Sequence, residues 1–259
     1  MKSKRWSLLA LLALDGFLPQ SNAGLYLGSA ANFGVLGAST VTSTGNTVLN
    51  GDLGVSPGTG ITGFPPGIVN GTIHAGGTVT GQAQIDARAA YSTLAAETPT
   101  TILTGRDLGG LTLTPGVYSF TSSAQLAGIL TLDAGGNSNA RFDFQIGSTL
   151  TTDSASSVSL INGAQAGNVF WQVGTSATLG TGTAFDGTII ADQSITLNTG
   201  AIMFGRALAL NGAVTLDNNY ITAVPEPVTL WPVAICASFF AGWEWVAARR
   251  RKVNRALMG

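Results

Sequence analysis

The chain has 259 residues, of which 10% are charged, 45% are hydrophobic and 35 are glycine. Its 12 Lys and Arg residues nearly balance its 13 Asp and Glu residues, so charge gives no reason to expect nucleic acid or an acidic substrate. The hydrophobic content argues against intrinsic disorder, and the glycines follow no Gly-X-Y triplet, which excludes collagen.

The N-terminus has the three parts of an export signal. Three basic residues within the first five are followed by an apolar run over 6–14 and by Ser-Asn-Ala at 21–23. This order of a positive start, a short apolar region and a small-x-small cleavage site is typical of a secretory signal peptide. We therefore predict a signal peptide over residues 1–23.

One segment of the following domain has helical character. Residues 80–99 are rich in Ala and Gln, and Thr80 is a candidate N-cap while Pro99 ends the segment. The apolar positions recur at helical spacing: Ala83, Ala87, Ala90 and Leu94. This pattern predicts one long helix over about 81–97, whose apolar stripe packs on another surface.

The remainder of residues 24–222 contains a repeat. A triplet of an apolar residue, Thr or Ser, and Leu occurs six times, with middle residues Thr112, Thr131, Ser159, Thr178, Thr196 and Thr215. Successive middle residues recur at a nearly constant interval, except for one longer step from Thr131 to Ser159. The common interval, about 18–19 residues, is typical of solenoid coils and suits three short strands and three corners. The repeat predicts a β-helix with one insertion.

Strand alternation predicts which side chains face outward. Around one triplet, Ile195 and Leu197 should point inward, while Ser194, Thr196 and Asn198 point outward. Because stacked coils lie about 4.8 Å apart, equivalent threonines should form a ladder. A second strand in each coil is visible at 169–171, 189–191 and 207–209.

The stretch "NVFWQVGTSATLGTGTAFDGTIIADQSITLNTGAIMFGRALALNGAVTLDNN", residues 168–219, resembles the ice-binding-like domain of microbial ice-binding proteins. Residues 128–152 and the helical segment 80–99 fit the same family, so the resemblance covers about 25–222. It implies a mainly β fold, a right-handed β-helix of triangular cross-section with one long helix alongside. It further implies that the N-terminal segment stacks on coils formed later, and that the protein slows ice growth and recrystallisation by adsorbing to ice.

Two sets of residues are candidates for the ice contact. The family's ice-binding faces often carry Thr-Ala/Gly-x-Thr/Asn units, and the resemblance therefore suggests Thr44, Thr47, Thr59 and Thr62 in "TGNT" and "TGIT". The periodicity suggests a ladder of Ser159, Thr178, Thr196 and Thr215. The alternative for both sets is structural, because an outward threonine is also simply a favourable strand residue.

The C-terminus resembles a PEP-CTERM sorting signal. Its Pro-Glu-Pro box consists of Val224, Pro225, Glu226 and Pro227. An apolar run and a basic cluster at 249–252 follow, as expected for a span with a cytoplasmic basic end. We predict a sorting signal over 223–252, a transmembrane segment at about 228–248 and a basic cytoplasmic tail at 249–259.

This second resemblance implies a route to the cell surface. An exosortase would process the box, after transient anchoring in the inner membrane of a Gram-negative bacterium, and the exopolysaccharide matrix is a further candidate partner. A plain C-terminal membrane anchor is the alternative. Cys236, the only cysteine, lies in the predicted span, so the mature domain would have no disulfide.

The sequence offers little for catalysis. His74 is the only histidine and falls in an extended stretch before the helix, so no His-based metal site or catalytic triad is expected. A polysaccharide lyase or hydrolase is disfavoured, because residues 107–222 contain only Arg141 and Arg206 as strong bases. We therefore expect a non-enzymatic protein without metal or cofactor. The main alternative to ice binding is a structural or adhesive protein of the cell surface or exopolysaccharide matrix on the same scaffold.

Overall fold

A computed structural model describes Leu25 and residues 27–225. The predicted signal peptide and the sorting signal beyond Pro225 lie outside these residues. The described part contains 22 β-strands, one α-helix and two 3-10 helices. The strands are β1 Phe33–Gly37, β2 Thr40–Thr44, β3 Val48–Asn50, β4 Asp52–Val55, β5 Gly60–Thr62, β6 Ile68–Val69, β7 Ile73–Ala75, β8 Thr101–Ile102, β9 Thr112–Leu113, β10 Gly116–Phe120, β11 Ala124–Leu126, β12 Ile129–Asp133, β13 Phe142–Ile146, β14 Leu150–Thr152, β15 Ser157–Ile161, β16 Val169–Val173, β17 Ala177–Leu179, β18 Ala184–Ala191, β19 Ile195–Leu197, β20 Ile202–Ala209, β21 Val214–Asp217 and β22 Tyr220–Thr222. The helix α1 spans Thr78–Ala96, and the 3-10 helices span Gly28–Asn32 and Ala166–Asn168.

Parallel strand ladders form the three faces of a β-helix, which confirms the predicted fold class. The first ladder, here called the hydroxyl face, is β11, β14, β17, β19, β21, β2 and β5 in stacking order. The second, the helix face, is β8, β10, β13, β16, the second halves of β18 and β20, β1, β4 and β7. The third, the mixed face, is β9, β12, β15, the first halves of β18 and β20, β22, β3 and β6.

The coils are not stacked in the order of the sequence. On the hydroxyl face the last coil pairs with the first, with Thr215 of β21 aligned with Thr42 of β2. On the helix face Ala207 of β20 is aligned with Val35 of β1 in the same way. The N-terminal coils therefore extend the C-terminal end of the solenoid, as the family resemblance implied.

The corner between the mixed and helix faces is built in two ways. The eight-residue strands β18 and β20 turn the corner without a break, at Gly187 and Gly205, which are in register. Gly187 has a φ of +112°, and a Cβ on Gly205 would lie 1.8 Å from the Gly187 carbonyl oxygen, so this corner requires glycine. In the two preceding coils, the loops 134–141 and 162–168 take the place of this bend.

These loops change the length of the repeat. Along the mixed face, Ile129 is aligned with Ser157 and Ser157 with Ala184, whereas Ala184 is aligned with Ile202. The first two of these three coils are therefore each about 1.5 times as long, in residues, as the third. The predicted single insertion is therefore wrong, because two coils are long. The predicted second strands at 169–171, 189–191 and 207–209 are confirmed, since Trp171, Ile189 and Ala207 are aligned on the helix face.

An aromatic stack fills the interior of the long coils. The rings of Trp171 and Phe144 lie 3.9 Å apart at an interplanar angle of 8°, and Tyr118 continues the stack 5.4 Å from Phe144. Phe185 lies 4.9 Å from Trp171 on the other side. The Trp171 Nε1 donates a hydrogen bond of 3.1 Å to the Asp186 carbonyl oxygen, which satisfies the one polar atom of the buried indole.

The helix α1 packs on the helix face through the predicted apolar stripe. A second hydrophobic cluster joins Ala83, Ala87, Ala90 and Leu94 to Phe170, Ile190 and Leu208. Two hydrogen bonds fix the position of the helix. Gln84 Nε2 on the helix donates to the Ala209 carbonyl oxygen at 3.1 Å. Gln145 Nε2 on β13 donates to the Leu94 carbonyl oxygen at 2.7 Å. The predicted packing of the helix on another surface is confirmed.

The helix begins earlier than predicted. Its first residue is Thr78 and its N-cap is Gly77, which has a φ of +98°. Thr80 is not the cap, because it lies fully buried in the first turn and donates its hydroxyl to the Gly77 carbonyl oxygen over 3.2 Å. The end at Ala96 agrees with a stop before Pro99.

A partly buried cluster of Arg141, Asp143 and Glu97 holds the C-terminal end of α1. Arg141 Nε donates a hydrogen bond of 2.9 Å to Asp143 Oδ1, and its Nη2 contacts the carboxylate of Glu97, which directly follows the helix. Burial raises the pKa of Asp143 to about 8; the charge of Arg141 acts against this rise and that of Glu97 adds to it. The cluster ties the helix to strand β13.

Candidate functional site

The outward side chains of the hydroxyl face form rows along the solenoid. One row takes a residue from each of the seven strands, and these residues are in register. In stacking order they are Gln125, Thr151, Thr178, Thr196, Thr215, Thr42 and Thr62. Six threonines therefore stand on six consecutive strands, and we call them the threonine row.

The residues beside each threonine explain its outward direction. Ile195 and Leu197 are 0% and 1% exposed, whereas Thr196 between them is only partly covered. This is the alternation that a strand imposes, with apolar side chains in the core and the middle side chain at the surface. The predicted directions of Ile195, Thr196 and Leu197 are confirmed.

The hydroxyls of the threonine row have no hydrogen-bond partner within residues 27–225. Hydroxyls in the neighbouring rows, by contrast, bond to the protein. Thr149 Oγ1 donates a hydrogen bond of 2.8 Å to Ser123 Oγ, and Thr44 Oγ1 donates one of 2.9 Å to Asp217 Oδ1. The threonine row is therefore the part of this face whose donors and acceptors are left for water.

The geometry of the β-helix makes this row regular. With about 4.8 Å between neighbouring strands, six threonines extend over about 24 Å, and adjacent rows on one strand are about 6.7 Å apart. Threonine is β-branched, so its χ1 is restricted and its hydroxyl and methyl groups hold one direction. The row is a rigid, alternating array of hydroxyl and methyl groups.

Charge is confined to the edge of the hydroxyl face. The threonine row contains no ionisable side chain. Asp107 is aligned with Gln125 beyond the end of the row, and the carboxylates Asp153 and Asp217 lie in the next row, at or just after the strand ends. Hydrogen bonds from the hydroxyls of Thr199 and Thr44 lower the pKa of Asp217, which keeps it ionised at neutral pH. The centre of the face is thus uncharged and mildly apolar.

The structure corrects the predicted ladder at Ser159. This residue lies on β15 of the mixed face, aligned with Thr131, which is in turn aligned with Thr112. A ladder running from Ser159 to Thr178 is therefore wrong. The segment between them crosses two corners and the helix face, and does not complete a coil.

The two Thr-Gly-x-Thr units place three exposed threonines at the hydroxyl face. Thr62 belongs to the threonine row. Thr59 is exposed at the corner just before β5, and Thr44 is exposed at the end of β2, in the row that contains Asp217. Of these three, Thr62 has the geometry of a row member.

Thr47, the fourth residue of these units, cannot reach an external surface. It is 0% exposed, and its Oγ1 accepts hydrogen bonds from the Ser43 hydroxyl at 2.8 Å and the Asn219 backbone N–H at 3.2 Å. The predicted contact role of Thr47 is therefore contradicted. Its position at the turn between β2 and β3 directs the hydroxyl into the protein.

Two members of the threonine row, Thr42 and Thr151, do not fit the triplet pattern. Both follow an apolar residue, but the third position of the triplet is Ser43 or Thr152 where the other coils have Leu. Both third residues are nevertheless buried, at 8% and 3% exposure. A pattern that accepted a small hydroxyl residue at the inward position would have found them.

The described residues contain no group of three or more His, Cys, Asp or Glu side chains that could hold a metal ion. His74 lies in the extended strand β7, as predicted, 3.8 Å from an Asp52 oxygen and in tilted contact with the Phe33 ring.

Known proteins share this architecture. The family model described as ice-binding-like matches residues 35–222. An ice-binding protein of Nostoc sp. (strain HG1) is 58% identical over 234 residues, which cover 85% of this chain and 87% of the relative. Crystal structures of ice-binding proteins from an Antarctic biological consortium and from the Antarctic ascomycete Antarctomyces psychrotrophicus both give a TM-score of 0.75. The consortium protein is 50% identical, and the match covers 77% of this chain and 90% of that protein's chain. The ascomycete protein is 45% identical, and the match covers 77% of this chain and 98% of that protein's chain.

Proposed function

Because this chain belongs to the ice-binding-like family, we propose that it binds ice by adsorbing through the hydroxyl face. The observation that carries the proposal is the threonine row, six aligned side chains whose hydroxyls have no partner among the described residues. Adsorption of this kind slows the growth and recrystallisation of ice without any chemical reaction. We infer a non-enzymatic function that needs no cofactor.

The surface has the properties that contact with a crystal requires. Ice offers a flat, periodic array of oxygen atoms, and the β-helix offers repeats of about 4.8 Å and about 6.7 Å in two directions. Hydroxyls can take positions in the water lattice, while methyl groups release poorly ordered water on contact. The absence of charge in the row favours this fit, because an ionised group orders water around itself.

Two matched variants test the proposal. Thr196 and Thr131 occupy the same kind of triplet, Ile-Thr-Leu and Leu-Thr-Leu, on the hydroxyl face and the mixed face respectively. Thr196→Lys should raise the lowest concentration that inhibits ice recrystallisation by about tenfold or more, whereas Thr131→Lys should leave it unchanged. Circular dichroism would establish that both variants are folded.

Two outcomes would contradict the proposal. If the purified wild-type protein does not inhibit recrystallisation at micromolar concentration, ice binding is wrong. If Thr131→Lys abolishes inhibition and Thr196→Lys does not, ice is bound by the mixed face and not by the threonine row.

We further propose export and C-terminal sorting. Strand β22 ends at Thr222, one residue before the box that begins at Val224, so the described β-helix ends next to the motif. No helix within residues 27–225 is long and apolar enough to cross a membrane, and the predicted span lies outside them. Exosortase processing would then release the domain or attach it at the cell surface or in the exopolysaccharide matrix.

Expression of the full chain with and without an exosortase tests this second proposal. Processing should remove the C-terminal segment, which mass spectrometry would detect, and Glu226→Ala should prevent it. Identical masses in both hosts would indicate a plain membrane anchor.

A further inference from the structure

The mixed face carries most of the exposed large apolar side chains. Ten such side chains are exposed in the described part of the chain, and six lie on this face: Ile68, Ile129, Ile161, Ile202, Phe204 and Tyr220. None of the ten lies on the hydroxyl face. These six side chains give the mixed face an apolar character that the hydroxyl face lacks.

Five side chains form a continuous group, which we call the apolar stripe. Ile202, Tyr220, Val48 and Ile68 are aligned on four neighbouring strands, and Phe204 lies beside them, two positions after Ile202 on the same strand. The two aromatic side chains are 43% and 44% exposed, so their rings are accessible.

A polar row runs beside the stripe. Asn50 Nδ2 donates to the Tyr220 hydroxyl at 3.0 Å and to the Thr222 hydroxyl at 3.1 Å, and Asn70 Nδ2 donates to Asn50 Oδ1 at 2.8 Å. Because both hydroxyls accept from Asn50, each keeps its own proton for donation to a ligand. The side-chain oxygen of Asn70 remains as an acceptor at the end of the row.

The size of this surface suits a narrow ligand. Four strands at about 4.8 Å give a length of roughly 14 Å, and the two rows are about 6.7 Å apart. The resulting area, on the order of 100–200 Å², is well below the ~800 Å² that each partner contributes to a standard protein interface. A second copy of this chain or another folded protein would thus gain too little from it for a stable complex.

The charge of the surface points to a neutral ligand. Neither the apolar stripe nor the polar row contains an ionisable group other than the phenol of Tyr220. Asp186 is aligned with Phe204 on the next strand and places a carboxyl group at one end. A polyanion would be repelled there, whereas an uncharged chain with apolar faces and many hydroxyls would match both rows.

We propose that the apolar stripe and the polar row bind a neutral polysaccharide chain. The rings of Phe204 and Tyr220 stack on the C–H faces of the sugars, and Tyr220, Thr222 and Asn70 exchange hydrogen bonds with their hydroxyls. This surface is distinct from the hydroxyl face, so the proposal does not rest on ice binding. One molecule could hold a polysaccharide and ice at the same time.

Affinity electrophoresis of the purified full chain tests the proposal. Native gels would contain galactomannan, dextran or hydroxyethylcellulose as neutral probes and alginate as an anionic one. We expect at least one neutral polymer, and not alginate, to retard the chain. Retardation should weaken by about tenfold, ~1.4 kcal/mol, in Phe204→Ala and in Tyr220→Ala. Ile129→Ala, an exposed apolar residue elsewhere on this face, is the matched control and should behave as wild type.

Recrystallisation inhibition measured on the same samples separates the two proposals, because Thr196→Lys should lose ice activity and keep its retardation. Three results would overturn the polysaccharide site. The first is no retardation by any neutral polymer, and the second is equal retardation of wild type and the aromatic variants. The third is self-association of the wild type in analytical ultracentrifugation that Phe204→Ala abolishes, since this would make the stripe a protein interface.

Discussion

The hydroxyl of Thr44 donates a hydrogen bond of 2.9 Å to the carboxylate of Asp217, across a separation of 173 residues in the sequence. This contact joins the first coil of the chain to its last coil. The threonine row crosses the same junction, from Thr215 to Thr42. The continuity of the proposed ice-binding surface thus depends on a contact between the two ends of the domain.

Loss of the Asp217 carboxylate should weaken this junction. We expect Asp217→Ala to lower the melting temperature and to reduce recrystallisation inhibition, because the hydroxyls of Thr44 and Thr199 lose their acceptor. Asp153→Ala is the control, since Asp153 lies in the same row but away from the junction and accepts from Gln125 at 3.2 Å. Equal effects of the two variants would show that the junction has no special importance.

The contribution of Asp217 should also depend on pH. Its pKa in the folded state is lowered from 3.8, so its stabilisation is present above that value and is lost as the pH falls through the lower, folded-state pKa. The difference in melting temperature between wild type and Asp217→Ala should therefore be largest near neutral pH and shrink in strongly acidic solution. A difference that is constant with pH would contradict this account.

Thr47→Val should affect stability and not the surface. The substitution removes a buried acceptor from the Ser43 hydroxyl and the Asn219 N–H, which we expect to cost about 1–3 kcal/mol in the free energy of unfolding. Urea denaturation measures this cost. Recrystallisation inhibition per folded molecule should remain that of the wild type, and a loss of activity without a loss of stability would contradict the buried position.

The aromatic stack should carry a large share of the stability of the long coils. Trp171→Ala leaves a cavity between Phe144 and Phe185 and should lower the free energy of unfolding by about 3–5 kcal/mol. Trp171→Phe keeps a ring there but loses the hydrogen bond to the Asp186 carbonyl, so it should cost less. Denaturant titration of both variants checks this order, and the reverse order would be inconsistent with the stack.

The cluster at the end of α1 should make the domain less stable in base. The pKa of Asp143 is raised from 3.8 to about 8, so between these values the folded state holds a proton that the unfolded chain has released. Stability should therefore fall as the pH rises through this range. Asp143→Asn should remove the slope, which melting temperatures at several pH values would reveal. An unchanged slope would assign the effect to another group.

Much of the fold follows from the local sequence. The position of Ile195 and Leu197 in the core, the second strand at 169–171 and the apolar stripe of α1 all arise from periodicities that span a few residues. The start of the helix was harder to predict from the sequence, because the N-cap is Gly77 and not the hydroxyl residue Thr80.

The assignment of residues to faces could not be made in this way. Thr131 and Thr196 occupy nearly identical triplets, yet they lie on different faces. The face that a strand joins depends on the number of residues between it and the strands of the previous coil. The two corner loops, 134–141 and 162–168, increase that number. The same separation in sequence is a full coil between Thr112 and Thr131 but not between Ser159 and Thr178.

The stacking order also has a consequence for how the chain reaches its final form. Strand β1 lies between β20 and β4, so one of its neighbours is made only near the end of the domain. A chain produced from its N-terminus cannot complete this solenoid coil by coil, because the first coils wait for residues 202–217. Until then, the edges of β1 and β2 are open to pairing with other chains. The N-terminal coils pair with one another, and β10 to β20 stack in chain order, so the step that needs almost the whole chain is the junction between these two sets of coils.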